Sequence, residues 1–275
     1  METLEIDLET EVEEKGINFD FLNEKIEPKT LEKATSNDWI AQETLVVIVK
    51  TKGEISYDFS ICGKKLVDWV SLATSGCKQK YIDDCEDVLS AVRPFAENYS
   101  YVAVFYSDTP LLKKSTFIEV MNYFSRNRMN VLTLSRGYVF KSEFLKSAKM
   151  LMSGAVTDFD KEDFCVVDDA EKASLAFDVL NERILSFHKQ NGVVIFGESF
   201  IDADVEIEEG AIIYPNNTIK GQSCIGKNVV VESGNYIEDS IVCDDCVLKM
   251  SYIQNSKIEQ HKEIGPFAKL VNQKM

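Results

Sequence analysis

The chain has 275 residues, 45% of them hydrophobic, and a formal net charge of -16 from 46 acidic and 30 basic residues. That length suits one large domain or two modest ones with sizeable cores. Charge of this sign repels nucleic-acid phosphates and anionic membrane surfaces, so neither is expected as a partner.

Residues 1–43 form an acidic N-terminal extension. Leu4, Ile6 and Leu8 alternate with polar residues as in a short half-buried strand, and Glu11, Glu13 and Glu14 read as a solvated run before Pro28. The first residues lack a basic region followed by an apolar core, so no secretory signal is expected.

From Thr44 the pattern becomes α/β. Leu45–Val49 is an uninterrupted apolar run, as in a strand covered on both faces. Such stretches are strand-sized, so no bilayer span is expected. Gly63 to Thr74 carries Leu66, Trp69, Val70 and Leu72 at helical spacing, and a second helix fits Asp84 to Phe95. Tyr101–Tyr106 is another buried strand. Ser115 is placed to cap a helix whose Phe117, Val120, Met121 and Phe124 share one face. Strands follow at 129–134 and 137–140, then a helix opened by Ser142 and a last strand at Phe164–Val167. A long helix spans Ala170 to Gln190, with Ala176, Val179, Leu180, Ile184 and Phe187 on one stripe. Such alternation implies a largely parallel sheet with helices on its faces, spanning 44–169, with 170–192 as a connecting helix.

At Gly192 the grammar changes. Aliphatic residues recur at Ile201, Ile207, Ile213, Ile219, Ile225, Val231 and Ile237, every sixth position. The series continues through Val242, Leu248, Ile253, Ile258, Ile264 and Leu270, with some five-residue steps. Turn formers stand at Gly210, Asn216, Gly221, Gly226, Gly234 and Gly265. This period belongs to a left-handed parallel β-helix over 193–275, with one hexapeptide per face and about four coils. Such a solenoid is a scaffold and specifies no activity.

Smaller signals have structural explanations. Cys243 and Cys246 have CxxC spacing but lie inside one hexapeptide with no companion ligands. Trp39 and Trp69 read as packing residues, and Gly197-Glu198-Ser199 precedes solenoid turns and not the helix of a nucleophile elbow. Seven cysteines without a disulfide framework fit a reducing cytoplasm.

Several local segments together resemble a known enzyme family. They are Ile61-Cys62-Gly63-Lys64-Lys65-Leu66, Tyr106-Ser107-Asp108-Thr109-Pro110-Leu111-Leu112, Arg183-Ile184 with Asn191-Gly192-Val193, Phe200-Ile201-Asp202-Ala203-Asp204-Val205, and Ile264-Gly265-Pro266-Phe267-Ala268. The chain is similar over roughly 44–270 to the bifunctional N-acetylglucosamine-1-phosphate uridyltransferase/glucosamine-1-phosphate N-acetyltransferase (GlmU) family. The resemblance implies a Rossmann-like nucleotidyltransferase-type α/β domain before the β-helix, and a homotrimer.

The implied first chemistry, nucleotidyl transfer to a sugar 1-phosphate, needs cations against developing negative charge. The family's glycine-rich phosphate cradle is shortened here to Val49-Lys50-Thr51-Lys52-Gly53, and Ser56 stands at the family's lysine. Lys50, Lys52 and Lys64 are the remaining phosphate-binding candidates, against the plainer reading of a solvated loop. Ile82-Asp83-Asp84-Cys85 replaces a Gln-Leu-Gly-Thr turn, and the sugar-pocket insertion has collapsed to Ser135-Arg136. Asp108 matches the family's Mg²⁺ aspartate, and Asp168 stands where the family has an asparagine ligand. Two carboxylates about 4 Å apart would repel by ~4 kcal/mol at an effective dielectric near 20, favouring a cation or a raised pKa. The alternative is that Asp108 or Thr109 caps a helix opened by Pro110, and Asp168 caps the next. The implied second activity, acetyl transfer, is not expected: neither His188 nor His261 matches the family's catalytic histidine, and the chain ends soon after the Gly-Pro-Phe motif. The expectation is a non-catalytic binding or assembly protein with a relic Mg²⁺ or nucleotide-sugar site. The alternative is an active UDP-N-acetylglucosamine pyrophosphorylase-like nucleotidyltransferase with a remodelled site.

Overall fold

The structure, a computed structural model, describes residues 38–149, 155–156, 159 and 161–275. The Leu4, Ile6, Leu8 segment lies outside the described residues. A short helix α1 (Asp38–Glu43) leads into β1 (Thr44–Lys50), in which 44–49 are all buried. A hairpin of β2 (Ser60–Ile61) and β3 (Lys64–Lys65) feeds α2 (Leu66–Ala73). The helix therefore begins later than Gly63. Cys62 and Gly63 take left-handed φ values of 49° and 82° in the two-residue hairpin turn, a conformation no α-helix admits.

After β4 (Lys78–Asp83), the expected helix over 84–95 is shorter and divided. It comprises α3 (Val88–Val92) and a 3-10 turn at Arg93–Glu97. Asp87 caps α3 by accepting from Ser90 N at 3.0 Å, and Pro94 supplies no amide to continue the helical ladder. β5 (Tyr101–Tyr106) precedes α4 (Lys114–Arg126), where Ser115 lies in the first turn and Lys113 is the N-cap. Phe117, Val120, Met121 and Phe124 are buried. Then come β6 (Val131–Leu134), β7 (Gly137–Lys141), α5 (Ser142–Ser147), β8 (Ala155–Val156) and α6 (Ala170–Gln190).

The sheet order is β4-β1-β5-β7-β6-β8. β1 runs parallel to β4 and β5, whereas β7 is antiparallel to β5 and β6. β6 and β8 are parallel, so five of the six strands point the same way, as expected of a largely parallel sheet, and β7 alone runs against them. The two residues Ser135 and Arg136 are too short for a crossover and force β6 and β7 into a hairpin. Phe164–Val167 forms no strand: Cys165 N donates to Glu162 O at 3.1 Å and Val167 N to Asp108 O at 2.7 Å. Its apolar character reflects burial of Phe164 and Val167 in the core. One sheet face packs Val46, Ile48 and Phe105 against α2 and α4, and the other packs Leu45, Val47 and Val104 against α3 and α5.

Beyond α6 the chain winds through three parallel sheets of five, four and five short strands. Along one face Ile201, Ile219, Ile237, Ile253 and Leu270 stack in register, so successive coils measure 18, 18, 16 and 17 residues. All thirteen residues of the aliphatic series are buried. The five-residue steps have a local cause. Asp239, Met250 and Asn255 take left-handed φ, and the next residue is a serine whose hydroxyl donates two residues back. Ser240, Ser251 and Ser256 bond Glu238 O, Lys249 O and Gln254 O at 2.6–2.8 Å, closing each short corner. Polar ladders also run inside the coil. Asn217 Oδ1 accepts from Asn235 N at 2.8 Å, and Asn235 Oδ1 accepts from Ser251 N at 2.9 Å.

The α6 stripe buries Ala176, Leu180 and Ile184 as expected, but Val179 is 36% exposed and His188 is buried instead. Nδ1 of His188 has no hydrogen-bond partner among the described residues, and burial pushes its pKa down to about 4 from 6.5. The folded state thus binds fewer protons than the unfolded chain. Its stabilising effect is complete above pH 6.5 and is lost as pH falls towards 4. Unfolding free energy should drop by roughly 1–3 kcal/mol across that window. His188→Phe should flatten this part of the profile, and an unchanged profile in denaturant titrations would refute the assignment.

Candidate functional site

The carboxyl ends of β1 and β5 meet just before Asp108. The buried hydroxyl of Ser107 accepts from Thr51 N at 3.0 Å and lies 2.9 Å from Thr51 Oγ1, tying the two strand ends together. Asp108 follows, 4% exposed. No helix starts at Pro110. Thr109 N and Oγ1 both donate to Tyr106 O, and Leu112 N to Thr109 O, making a compact turn. The capping role predicted for Asp108 or Thr109 therefore has no helix to serve.

Asp108 is instead held by Arg136. Nε donates to Oδ1 at 3.2 Å and Nη2 to Oδ2 at 2.6 Å, a two-point contact, while the guanidinium lies 4.0 Å over the Tyr106 ring. Burial opposes the charge on Arg136, but the hydrogen bond and charge of Asp108 outweigh it and leave the pKa raised. Arg136 is half of the short β6–β7 turn, so the segment that replaces the expected insertion supplies a cation at the predicted metal ligand.

Asp168 is half exposed and pairs with Lys172, four residues on. The helix cap belongs to its neighbour: Asp169 Oδ1 accepts from Lys172 N at 2.8 Å. Each carboxylate assigned to Mg²⁺ thus has a protein cation on it. Among the described residues no three His, Cys, Asp or Glu side chains gather as a metal site. A hard cation at Asp108 would have to displace Arg136, so the residues as arranged do not fit Mg²⁺.

The three candidate lysines are spread apart. Lys50 Nζ lies 5.4 Å from the Tyr57 ring centroid and 5.7 Å from that of Tyr81. Lys52 is exposed near Asp83 at 3.9 Å. Lys64 reaches the first coil, pairing with Asp204 at 2.5 Å.

A second charged cluster is not legible in the sequence. Asp163, fully buried, meets Lys113 at 2.6 Å and Arg183 at 3.3 Å and accepts from Thr116 Oγ1. Arg183 also donates to Leu111 O at 2.8 Å, so α6 is anchored to the loop after β5. Trp69 Nε1 donates to Ile61 O at 3.0 Å and Trp39 packs edge-on against Tyr101, both as packing residues. Cys246 is buried and donates to Glu259 O within the coil. Among the described residues no helix is long and apolar enough to cross a membrane.

The architecture is thus an α/β domain ending in the Asp108 turn and joined by α6 to a hexapeptide β-helix. The particular resemblance is to proteins named Bifunctional protein GlmU. The chain is 36% identical to that of Clostridium botulinum over 128 residues, covering 46% of this chain and 28% of the relative. It is 34% identical to that of Streptococcus agalactiae over 127 residues (46% and 27%) and 38% identical to that of Streptococcus thermophilus over 117 residues (42% and 25%). The aligned region thus spans little more than a quarter of these relatives' length. No family model matches the chain. A solved 4-diphosphocytidyl-2C-methyl-D-erythritol synthase from Anaerococcus prevotii covers 51% of this chain, and this chain covers 99% of it, at TM-score 0.38 and 7% identity.

Proposed function

We propose that this nucleotidyltransferase-like chain acts by binding or assembly and does not transfer nucleotides. The observation that carries the reading is the two-point Arg136–Asp108 contact. A metal-dependent phosphoryl transfer needs that carboxylate to present a cation to the phosphates, with further positive charge converging on them. Here the carboxylate is already neutralised, and Lys52 and Lys64 neutralise other acids. By resemblance the bound ligand is a nucleotide or nucleotide sugar and the assembly a homotrimer of a cytoplasmic protein.

The test pairs calorimetry with a pyrophosphate assay. UTP with N-acetylglucosamine 1-phosphate and Mg²⁺ should yield no pyrophosphate above blank. Any affinity for UDP-N-acetylglucosamine should be independent of Mg²⁺ and change less than about threefold in Asp108→Asn, well below the tenfold that 1.4 kcal/mol represents. Pyrophosphate release by the wild type that disappears in Asp108→Asn, with Arg136→Gln folded and active, would establish the enzyme reading instead.

A further inference from the structure

A cavity of about 680 Å³ opens where the β2–β3 hairpin, the start of α6 and one face of the first coils meet. Neither Asp108 nor Arg136 is among its lining residues, so it is distinct from the turn after β5. Its apolar wall is aromatic. Phe177 of α6 stacks on Phe200 of the first coil at 5.6 Å and 20°, and Phe59, 41% exposed, also lines the cavity.

The polar wall is a single column on the β-helix face, Asp202, Lys220 and Glu238. Asp202 is 4% exposed. Its Oδ2 accepts from Gly221 N at 3.1 Å, while its buried Oδ1 has no hydrogen-bond partner among the described residues. The hairpin leaves room for that carboxylate only because residue 63 is glycine: a Cβ there would lie 2.8 Å from Asp202 Cγ. Glu238 is held in place through one oxygen. Its Oε2 accepts from Tyr236 OH at 3.0 Å and from Gln254 Nε2 at 2.9 Å. Two carboxylates against one lysine give this wall a net negative charge, so an anionic ligand is opposed. The fixed Glu238 carboxylate beside Asp202 calls for a donor-rich cation.

We propose that this cavity binds a small organic ammonium ion carried on a ring-sized apolar body. The body lies against Phe177 and Phe200, and the ammonium group meets Asp202 and Glu238. The volume is that of an ordinary small-molecule pocket. Burial raises the pKa of Asp202, the cost expected of a carboxylate short of donors, which a bound ammonium group relieves.

The test titrates benzylammonium, benzyl alcohol and benzoate into the full chain by ligand-observed NMR. Benzylammonium should bind at least about tenfold more tightly than benzyl alcohol, and benzoate should not bind. Glu238→Gln retains an oxygen for Tyr236 and Gln254, so it should fold, and it should erase the preference for ammonium. Phe200→Leu should weaken both the ammonium and the alcohol. Absence of benzylammonium binding, equal or tighter binding of the alcohol or benzoate, or binding unchanged in both folded variants would overturn the assignment. None of these outcomes bears on nucleotidyl transfer.

Discussion

Asp163→Ala is expected to destabilise the protein by about 3–5 kcal/mol, the range for removing one partner of a buried ion pair. The carboxylate is fully buried and shared by Lys113, Arg183 and Thr116, three groups from two helices and a loop. Without it, positive charge stays in a poorly solvated place that the fold shaped around a negative one. Arg183 also holds Leu111 O, so the loss should loosen the docking of α6 on the α/β domain. Chemical denaturation of wild type, Asp163→Ala and Asp163→Asn separates the contributions. Asparagine keeps the acceptor for Thr116 but not the charge, and should fall between the other two. A cost below about 1 kcal/mol for alanine would show the cluster to be a solvated pair of ordinary surface strength.

Ile237→Ala should cost about 2–5 kcal/mol, and Ile241→Ala less than about 0.5 kcal/mol, although the residues are four apart in one coil. Ile237 is fully buried in the aliphatic stack between Ile219 and Ile253, where coils repeat at fixed spacing and cannot collapse onto a void. Ile241 is 46% exposed on the outer side of its strand. The comparison probes the inward and outward alternation with a single side-chain chemistry. Equal losses would mean that the coil interior is assigned to the wrong residues.

The proposed absence of catalysis and the structural role of α6 are connected. The turn that carries Asp108 is bounded by Arg136 from the β6–β7 hairpin and by Val167 N on the other side. The Asp163 cluster then secures the next loop to α6. Charges near this turn thus hold elements together.

The β-helix was readable from the sequence because its rule is local. Each hexapeptide must bury one aliphatic side chain, so the stack from Ile201 to Leu270 repeats along the chain as it repeats in space. The buried strands Leu45–Val49 and Tyr101–Tyr106 and the helix Ala170–Gln190 were legible for a similar reason, since length and period specify them without reference to a partner. Even the five-residue steps were visible as spacing, though not the serine corners that close them.

Other features depended on contacts between distant residues. Phe164–Val167 has the composition of a strand, yet no neighbouring edge accepts it, and its apolar residues fill the core from a loop. Asp108 and Asp168 carry the same letter as metal ligands, but Arg136 and Lys172 pair with them, and Arg136 arrives from 28 residues away. Asp163 gives no signal in the sequence because its partners lie 50 residues before it and 20 after it. Burial and hydrogen-bond geometry are properties of the folded neighbourhood. The sequence by itself therefore determined the periodic elements and their order. Only the tertiary structure decided which charges meet, because electrostatic pairing acts through space and leaves no period along the chain.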